Sequence, residues 1–195
     1  MAGSTTGRKG RSASTLRVRR KENKKLSKRD TRLHRKISTK IAKHVDADIG
    51  MTNVMLNKLA RILCPNLYRG LFSVEKLKSI SFRPPFSIIV NVGLHFVTVF
   101  VAKNHILYFD SYGKNCIRRE MCDFMAKYNC RIYYNKSKLQ KRTSTHCGLY
   151  ALLFAAYVDL TTKPFELYFY KRAGKKNDEL CKMYLQKIVS HVNVE

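Results

Sequence analysis

The amino-acid sequence divides near residue 43, and only the part after that point can supply a hydrophobic core. Residues 1–43 hold 16 lysines and arginines, two acidic residues and few apolar side chains. A segment of this composition cannot bury enough apolar surface to offset the entropy that folding removes. The sequence therefore predicts a basic, disordered tail over residues 1–43 and one folded domain over residues 44–195.

The charge of the chain indicates polyanionic partners. Its 39 lysines and arginines and 13 acidic residues give a formal net charge of +26, which attracts nucleic acid before other partners. Within the tail we expect the segment 17–25 to contact phosphates without sequence preference. The candidate DNA-binding residues are Arg17, Arg19, Arg20, Lys21, Lys24 and Lys25. A nuclear import signal and a solvated tail that only keeps the chain soluble are the alternative interpretations.

The folded part has the pattern of an α+β domain. Helices are predicted over 49–64, 118–129, 148–160 and 177–192, the last with Asn177 as its N-cap. Strands are predicted over 87–91, 94–102, 105–110 and 131–135. Helices before and after a central group of strands favour the α+β class. The longest uncharged stretch, 86–102, is short for a membrane span and rich in Val and Ile, so no membrane partner is predicted.

The strands predicted over 94–102 and 105–110 are separated by only two residues, which indicates a tight antiparallel hairpin. If Ala102 pairs with His105, His95 and Asp110 lie on one face as diagonal neighbours, roughly 7–8 Å apart at the backbone. A slip of one residue would place them on opposite faces. Because a carboxylate fixes the tautomer of a histidine and raises its basicity, this hairpin offers a base and its orienting group.

Cys147 is the candidate nucleophile for such a base. It stands before Gly148 at the start of the most apolar predicted helix, and a helix N-terminus favours the thiolate. Gly148 is expected to let the backbone approach a substrate closely. Gln140 could donate its amide to a developing oxyanion beside the Cys147 N–H. The alternative for Cys147 is a buried thiol that caps a core helix. His95 is preferred to His146 as the base, because the sequence shows no carboxylate partner for His146.

The six cysteines are spread along the chain without a CxxC pair. This spacing favours neither a metal site nor a disulfide framework. We therefore predict no metal ligands, and mostly free thiols in a reducing, intracellular compartment.

In their order along the chain, these residues resemble the motifs of the adenain-like cysteine proteases, which comprise adenovirus endopeptidase and its relatives in large DNA viruses and Maverick/Polinton-type elements. The matching segments are LHF at 94–96, YFDSYG at 108–113, Gln140, and CGLY at 147–150, and segment 66–72 resembles an upstream block of the viral branch. The order His, Asp, Gln, Cys is also that of the SUMO-specific proteases in the same clan. Two residues depart from the pattern: Asp110 replaces the adenovirus glutamate, and Phe96 replaces a frequent tryptophan.

The resemblance implies a mixed central β-sheet flanked by helices, with a papain-like catalytic arrangement of the adenain/SUMO-protease clan. It assigns Cys147 as nucleophile, His95 as general base and acid, Asp110 as orienting carboxylate and Gln140 as oxyanion donor.

The resemblance also implies a cysteine endopeptidase of virion maturation, which cleaves capsid or core precursors of a virus or mobile element after small residues such as glycine. The chemistry needs no cofactor, although DNA and a short viral peptide stimulate the adenovirus member. A monomer in the virion and in the host nucleus or cytoplasm is expected. Two alternatives stay open: a protease of ubiquitin-like modifiers, and an inactive nucleic-acid-binding core protein of the virion.

Overall fold

The computed structural model describes residues 39, 50–116, 118–160 and 174–191. The prediction of a disordered tail over 1–43, with its six candidate DNA-binding residues, therefore lies outside the described residues except for position 39. The described part is an α+β fold with a five-stranded mixed sheet and helices on both faces. The strands cross the sheet in chain order, with a parallel pair at each edge and antiparallel pairs between them.

The sheet confirms the predicted hairpin register. Its strands are β1 (Tyr68–Ser73), β2 (Phe86–Asn91), β3 (Phe96–Val101), β4 (His105–Phe109) and β5 (Arg131–Tyr134). Thr98 pairs with Phe109, and the Ala102 N–H donates to the His105 carbonyl at 2.8 Å. The one strand that the sequence does not predict is β1. Its Gly70, with a φ of +149°, lies at a register shift and interrupts the alternation that indicates a strand.

The four predicted helices are present, with ends that differ from the predicted ones by up to four residues. They are α1 (Asn53–Leu63), α2 (Arg119–Ala126), α3 (Cys147–Leu160) and α4 (Lys175–His191), and a 3-10 helix spans Val74–Ser79. Helix α1 begins later than predicted because Thr52 caps it, its Oγ1 accepting from the Met55 N–H at 3.3 Å. None of the described helices is long and apolar enough to cross a membrane.

Helix α3 fills the space between the sheet and the helices α1 and α4. Its first ten residues are all buried, as expected for a helix that is apolar on every side. In β3, Thr98 Oγ1 donates to the Ala151 carbonyl of α3 at 2.9 Å. In β4, Phe109 stacks on Phe154 with ring centroids 4.6 Å apart. These contacts hold the first turns of α3 against the middle of the sheet.

Candidate active site

The predicted pair of His95 and Asp110 meets at the end of the β3–β4 hairpin that lies away from its turn. His95 precedes β3 and Asp110 follows β4, and His95 Nε2 lies 2.9 Å from Asp110 Oδ1. Because a carboxylate can only accept a hydrogen bond, Nε2 donates and Nδ1 is left to face another group. The hairpin register thus brings together the two residues that the sequence predicts as neighbours.

Asp110 is buried and held from several directions. Its Oδ1 also accepts from the Tyr112 N–H at 2.7 Å. Asn135, directly after β5, makes two hydrogen bonds to the backbone of Asp110. The Asp110 N–H donates to Asn135 Oδ1 at 2.7 Å, and Asn135 Nδ2 donates to the Asp110 carbonyl at 2.7 Å. The sequence gives no signal for this role of Asn135, since the contact joins positions 25 residues apart.

Replacing Asn135 with alanine is expected to lower the free energy of unfolding by about 2–4 kcal/mol, because the buried N–H and carbonyl of Asp110 each lose a partner. Urea unfolding measures this change. The matched control is Asn115→Ala at an exposed position, which we expect to stay within about 0.5 kcal/mol of the wild type. An Asn135→Ala variant as stable as the control would contradict the assigned role.

The turn after Asp110 packs against His95. The Tyr112 ring stacks on the imidazole with centroids 4.8 Å apart and an interplanar angle of 26°. The Gly113 N–H donates to the Asp110 carbonyl at 2.8 Å, and Gly113 has a φ of +66°. A Cβ at Gly113 would lie 2.8 Å from the carbonyl carbon of Ser137, so both the backbone angle and the space require glycine. Tyr112 consequently covers one face of His95.

Cys147 is the first residue of α3, and it is 8% exposed. The Tyr150 N–H donates to the His146 carbonyl at 3.1 Å, so helical bonding begins there. The N–H groups of Cys147 and of the next two residues therefore have no acceptor within the helix. Such N–H groups, together with the helix dipole, stabilise negative charge at this position.

The pKa of His95 links it to both neighbours. Burial lowers this pKa, but hydrogen bonds to Asp110 and Cys147 and the negative charges of both raise it to about 9. The net effect favours the protonated ring. Because Asp110 holds Nε2, Nδ1 is the nitrogen available to the Cys147 thiol.

Gln140 is fully buried, and both ends of its amide are held. Ser111 Oγ donates to Gln140 Oε1 at 2.6 Å, and Gln140 Nε2 donates to the Ser144 carbonyl at 2.6 Å. A backbone carbonyl can only accept, so this contact fixes which end of the amide is nitrogen. An amide nitrogen carries two N–H groups. The role of Gln140 as an oxyanion donor stays a prediction. It would use the second N–H of the amide, since the first donates to the Ser144 carbonyl.

Gly148 packs against the core, and the expectation that it lets the backbone approach a substrate stays a prediction. A Cβ at Gly148 would lie 3.2 Å from Met51 Cβ and 3.5 Å from both Leu56 Cδ2 and Phe96 Cδ2. A side chain at this position would require Met51 to shift by a few tenths of an ångström, because α3 packs closely against α1 and the start of β3.

His146 is buried beside a carboxylate, a partner that the sequence does not show. Its Nδ1 lies 3.5 Å from Asp178 Oδ2 of α4 and 2.5 Å from Ser144 Oγ. The Tyr150 hydroxyl donates to Asp178 Oδ1 at 2.9 Å. Burial, followed by the charges of Cys181 and Asp178, raises the pKa of Tyr150, so this hydroxyl stays protonated. These contacts tie the segment before Cys147 and the first turn of α3 to α4.

Asn177 does not cap α4 as predicted, because the helix begins two residues earlier, at Lys175. Its side chain is instead fully buried, and its Nδ2 donates to the Leu139 carbonyl at 3.0 Å. We call Asn177 and Asp178 the α4 clamp, since together they hold the loop 139–146 that carries Gln140.

A groove of about 480 Å³ opens at Cys147. Its walls come from the residues before α1, the turn between β2 and β3, Tyr112 and the segment before α3. Leu94 lies on this wall and is fully exposed. Among the described residues, no group of three His, Cys, Asp or Glu side chains is placed to hold a metal ion, and all six cysteines are free.

Comparisons with known proteins leave the family open. No family model and no curated protein matches the sequence. Among solved structures, the central domain of an uncharacterized protein from Legionella pneumophila is similar, with 14% sequence identity and a TM-score of 0.46. The match covers 72% of this chain and 98% of that chain. A similarity at this level identifies neither a family nor an activity.

Proposed function

We propose that this chain is a cysteine endopeptidase of the adenain type with a papain-like catalytic arrangement. The observation that carries the proposal is the position of His95: its Nε2 binds Asp110 at 2.9 Å, and Cys147 at the start of α3 is near enough to raise the pKa of the same ring. Nucleophile, base and orienting carboxylate then form a continuous series beside an open groove. The resemblance of the segments around these residues supports the adenain type.

In the proposed reaction, the Cys147 thiolate attacks the carbonyl carbon of a peptide bond, and protonated His95 gives its proton to the leaving amine. This step leaves a thioester on Cys147 and a neutral imidazole. His95 then takes a proton from water, the hydroxide adds to the thioester carbon, and the thiolate leaves as the acid product forms. The Asp110 charge stabilises the imidazolium, and the stacked Tyr112 ring keeps Nε2 directed at Asp110.

The negative oxygen formed in both half-reactions requires fixed donors. The N–H of Cys147, unpaired within the helix, is one candidate. The second N–H of the Gln140 amide is the other, and the contacts of that amide to Ser111 and Ser144 would hold it in place. The α4 clamp supports the same loop, so the donor would need little rearrangement when the substrate reacts.

We propose protein precursors with small residues before the scissile bond as substrates. The resemblance supports this class, as it does viral or element-encoded structural proteins. An extended peptide in the groove would pass the fully exposed Leu94, against which an apolar side chain could pack. The net charge of +26 supports a sequence-independent association with nucleic acid.

The test is covalent labelling of the full chain with a peptide vinyl sulfone that ends in Gly-Gly. We expect a single adduct on Cys147, mapped by mass spectrometry. The other thiols provide internal controls: Cys122 is exposed, whereas burial raises the pKa of Cys64 and of Cys181 well above the usual range. Modification of Cys122 ahead of Cys147 would mean that exposure alone decides the reaction, and would contradict the proposal.

Two further arms of this experiment separate the alternatives. Labelling by a probe built on a ubiquitin-like protein, without labelling by the short peptide, would favour a protease of such modifiers. An inert Cys147 combined with tight binding of duplex DNA would favour a nucleic-acid-binding protein. Faster labelling of Cys147 in the presence of duplex DNA would support a DNA-associated enzyme.

A further inference from the structure

A second cavity, of about 520 Å³, lies beside the catalytic groove and shares Tyr112 with it. Among the described residues, the rest of its lining consists of Lys114, Lys138 and Arg142. These cations belong to the two loops that carry Asp110 and Gln140. We call this cavity the basic pocket.

The cations of the basic pocket lack carboxylate partners within the described part of the chain. The ion pairs there join His95 to Asp110, Arg119 to Asp123, and His146 to Asp178. Lys114 Nζ instead lies 5.9 Å from the centroid of the Tyr112 ring. Like charges that line one concavity repel each other and focus a positive potential within it. An anionic group from outside would relieve this repulsion.

We propose that the basic pocket is a specificity subsite that takes an acidic side chain, aspartate or glutamate, of the protein substrate. The inference rests on the proposed function, since it needs a peptide in the adjoining groove. Tyr112 forms part of both walls, so a substrate held at Cys147 has a neighbouring side chain within reach of the pocket. Because an extended chain advances only about 3.3 Å per residue, adjoining cavities take side chains from neighbouring parts of one substrate.

A carboxylate fits the pocket better than a nucleic acid does. The guanidinium of Arg142 presents a planar fork that binds a carboxylate through two parallel hydrogen bonds. The two lysines add point charges to the same concavity. Single-stranded nucleic acid, by contrast, requires a basic track along which several phosphates lie. Here the cations converge on one cavity that adjoins the groove of Cys147.

The experiment measures which peptides the full chain cleaves in a library that is made by digesting a proteome. Wild type is compared with the triple variant Lys114→Gln/Lys138→Gln/Arg142→Gln. The matched control, Lys76→Gln/Lys78→Gln/Arg83→Gln, removes the same charge from exposed positions that line neither cavity. Peptide pairs that differ only by Glu or Gln at the preferred position then give the ratio of kcat/KM.

We expect the wild type to cleave the Glu peptide about tenfold better than the Gln peptide, as several cations acting on one carboxylate allow. The triple variant should lower this ratio to about one, whereas the control should keep it. A wild type that cleaves without an acidic preference would overturn the subsite. An equal loss of preference in the control would also overturn the subsite, because it would show that overall charge decides the preference. Competition by duplex DNA that only the triple variant abolishes would overturn it as well, because it would assign the pocket to nucleic acid.

A binding measurement separates failure of the subsite from failure of the proposed function. Cys147→Ala protein is titrated with two fluorescent peptide pools, identical except that one has Asp and Glu where the other has Asn and Gln. Tighter binding of the acidic pool, lost when the triple substitution is added, supports the pocket even if the wild type cleaves nothing. Equal binding of both pools overturns it whatever the catalytic result.

Discussion

Replacing Cys147 with alanine is expected to lower kcat/KM for peptide cleavage by at least about 10⁴-fold, because the reaction loses its only nucleophile. The fold should persist, since the substitution removes one sulfur atom at the edge of the core, and the free energy of unfolding should change by about 1 kcal/mol or less. Cleavage of a peptide that the wild type hydrolyses measures the first effect. Thermal unfolding measures the second.

The control for this substitution is Cys122→Ala on the exposed face of α2, which we expect to leave cleavage within about twofold of the wild type. Cleavage by Cys147→Ala at the wild-type rate would exclude Cys147 as the nucleophile. If Cys147→Ala unfolds, Cys147→Ser provides the same test, because it keeps the side-chain volume and replaces the thiol with a much weaker nucleophile.

His95→Ala is expected to lower cleavage at neutral pH by about 10³-fold or more, since the thiol loses its base and the leaving amine loses its acid. It should also change how Cys147 reacts with iodoacetamide. With His95 present, we expect rapid alkylation at neutral pH. Without it, alkylation at neutral pH should be slower, because no base is left to take the proton of the thiol. The alkylation rate as a function of pH therefore reports the imidazole directly.

The pKa of His95, raised from 6.5 to about 9, fixes the sign of the pH dependence. The folded ring holds its proton more tightly than the unfolded ring. Its contribution to the free energy of unfolding is therefore complete below about pH 6.5 and is lost as the pH rises through about 9. Wild-type cleavage should decline in the same upper range, because neutral His95 cannot protonate the leaving amine.

His105→Ala is the control for His95, because His105 lies at the other end of the hairpin and contacts Asn104. We expect it to leave the pH profile of alkylation unchanged. An unaltered alkylation profile in His95→Ala would exclude the proposed pairing with Cys147.

Local patterns in the sequence were enough to predict the centre of the site. The two-residue connection between β3 and β4 fixes the hairpin register, and the register brings His95 to Asp110. The most apolar segment of the chain predicts a buried helix, and Cys147 stands at its start. Both inferences depend on residues close together in sequence, where turn length and apolar periodicity leave few alternatives.

The supports of the site could not be predicted, because they join distant parts of the chain. Asn135 grips Asp110 across 25 positions, and Asn177 reaches Leu139 across 38. An asparagine before a helix has the same local pattern whether it caps that helix or bonds a distant carbonyl. His146 was set aside for the same reason, since its partner Asp178 lies on another helix. Contacts of this kind follow from tertiary packing and leave no periodic trace in the sequence.

The α4 clamp makes the order of synthesis matter. All four candidate catalytic residues leave the ribosome before Asn177 and Asp178, which hold the loop that carries Gln140. A nascent chain would therefore contain the whole set while the loop still lacked its support. A protease built this way would reach full activity only after α4 had been made and had docked. Unfinished polypeptides nearby would therefore be exposed to an enzyme below its full activity.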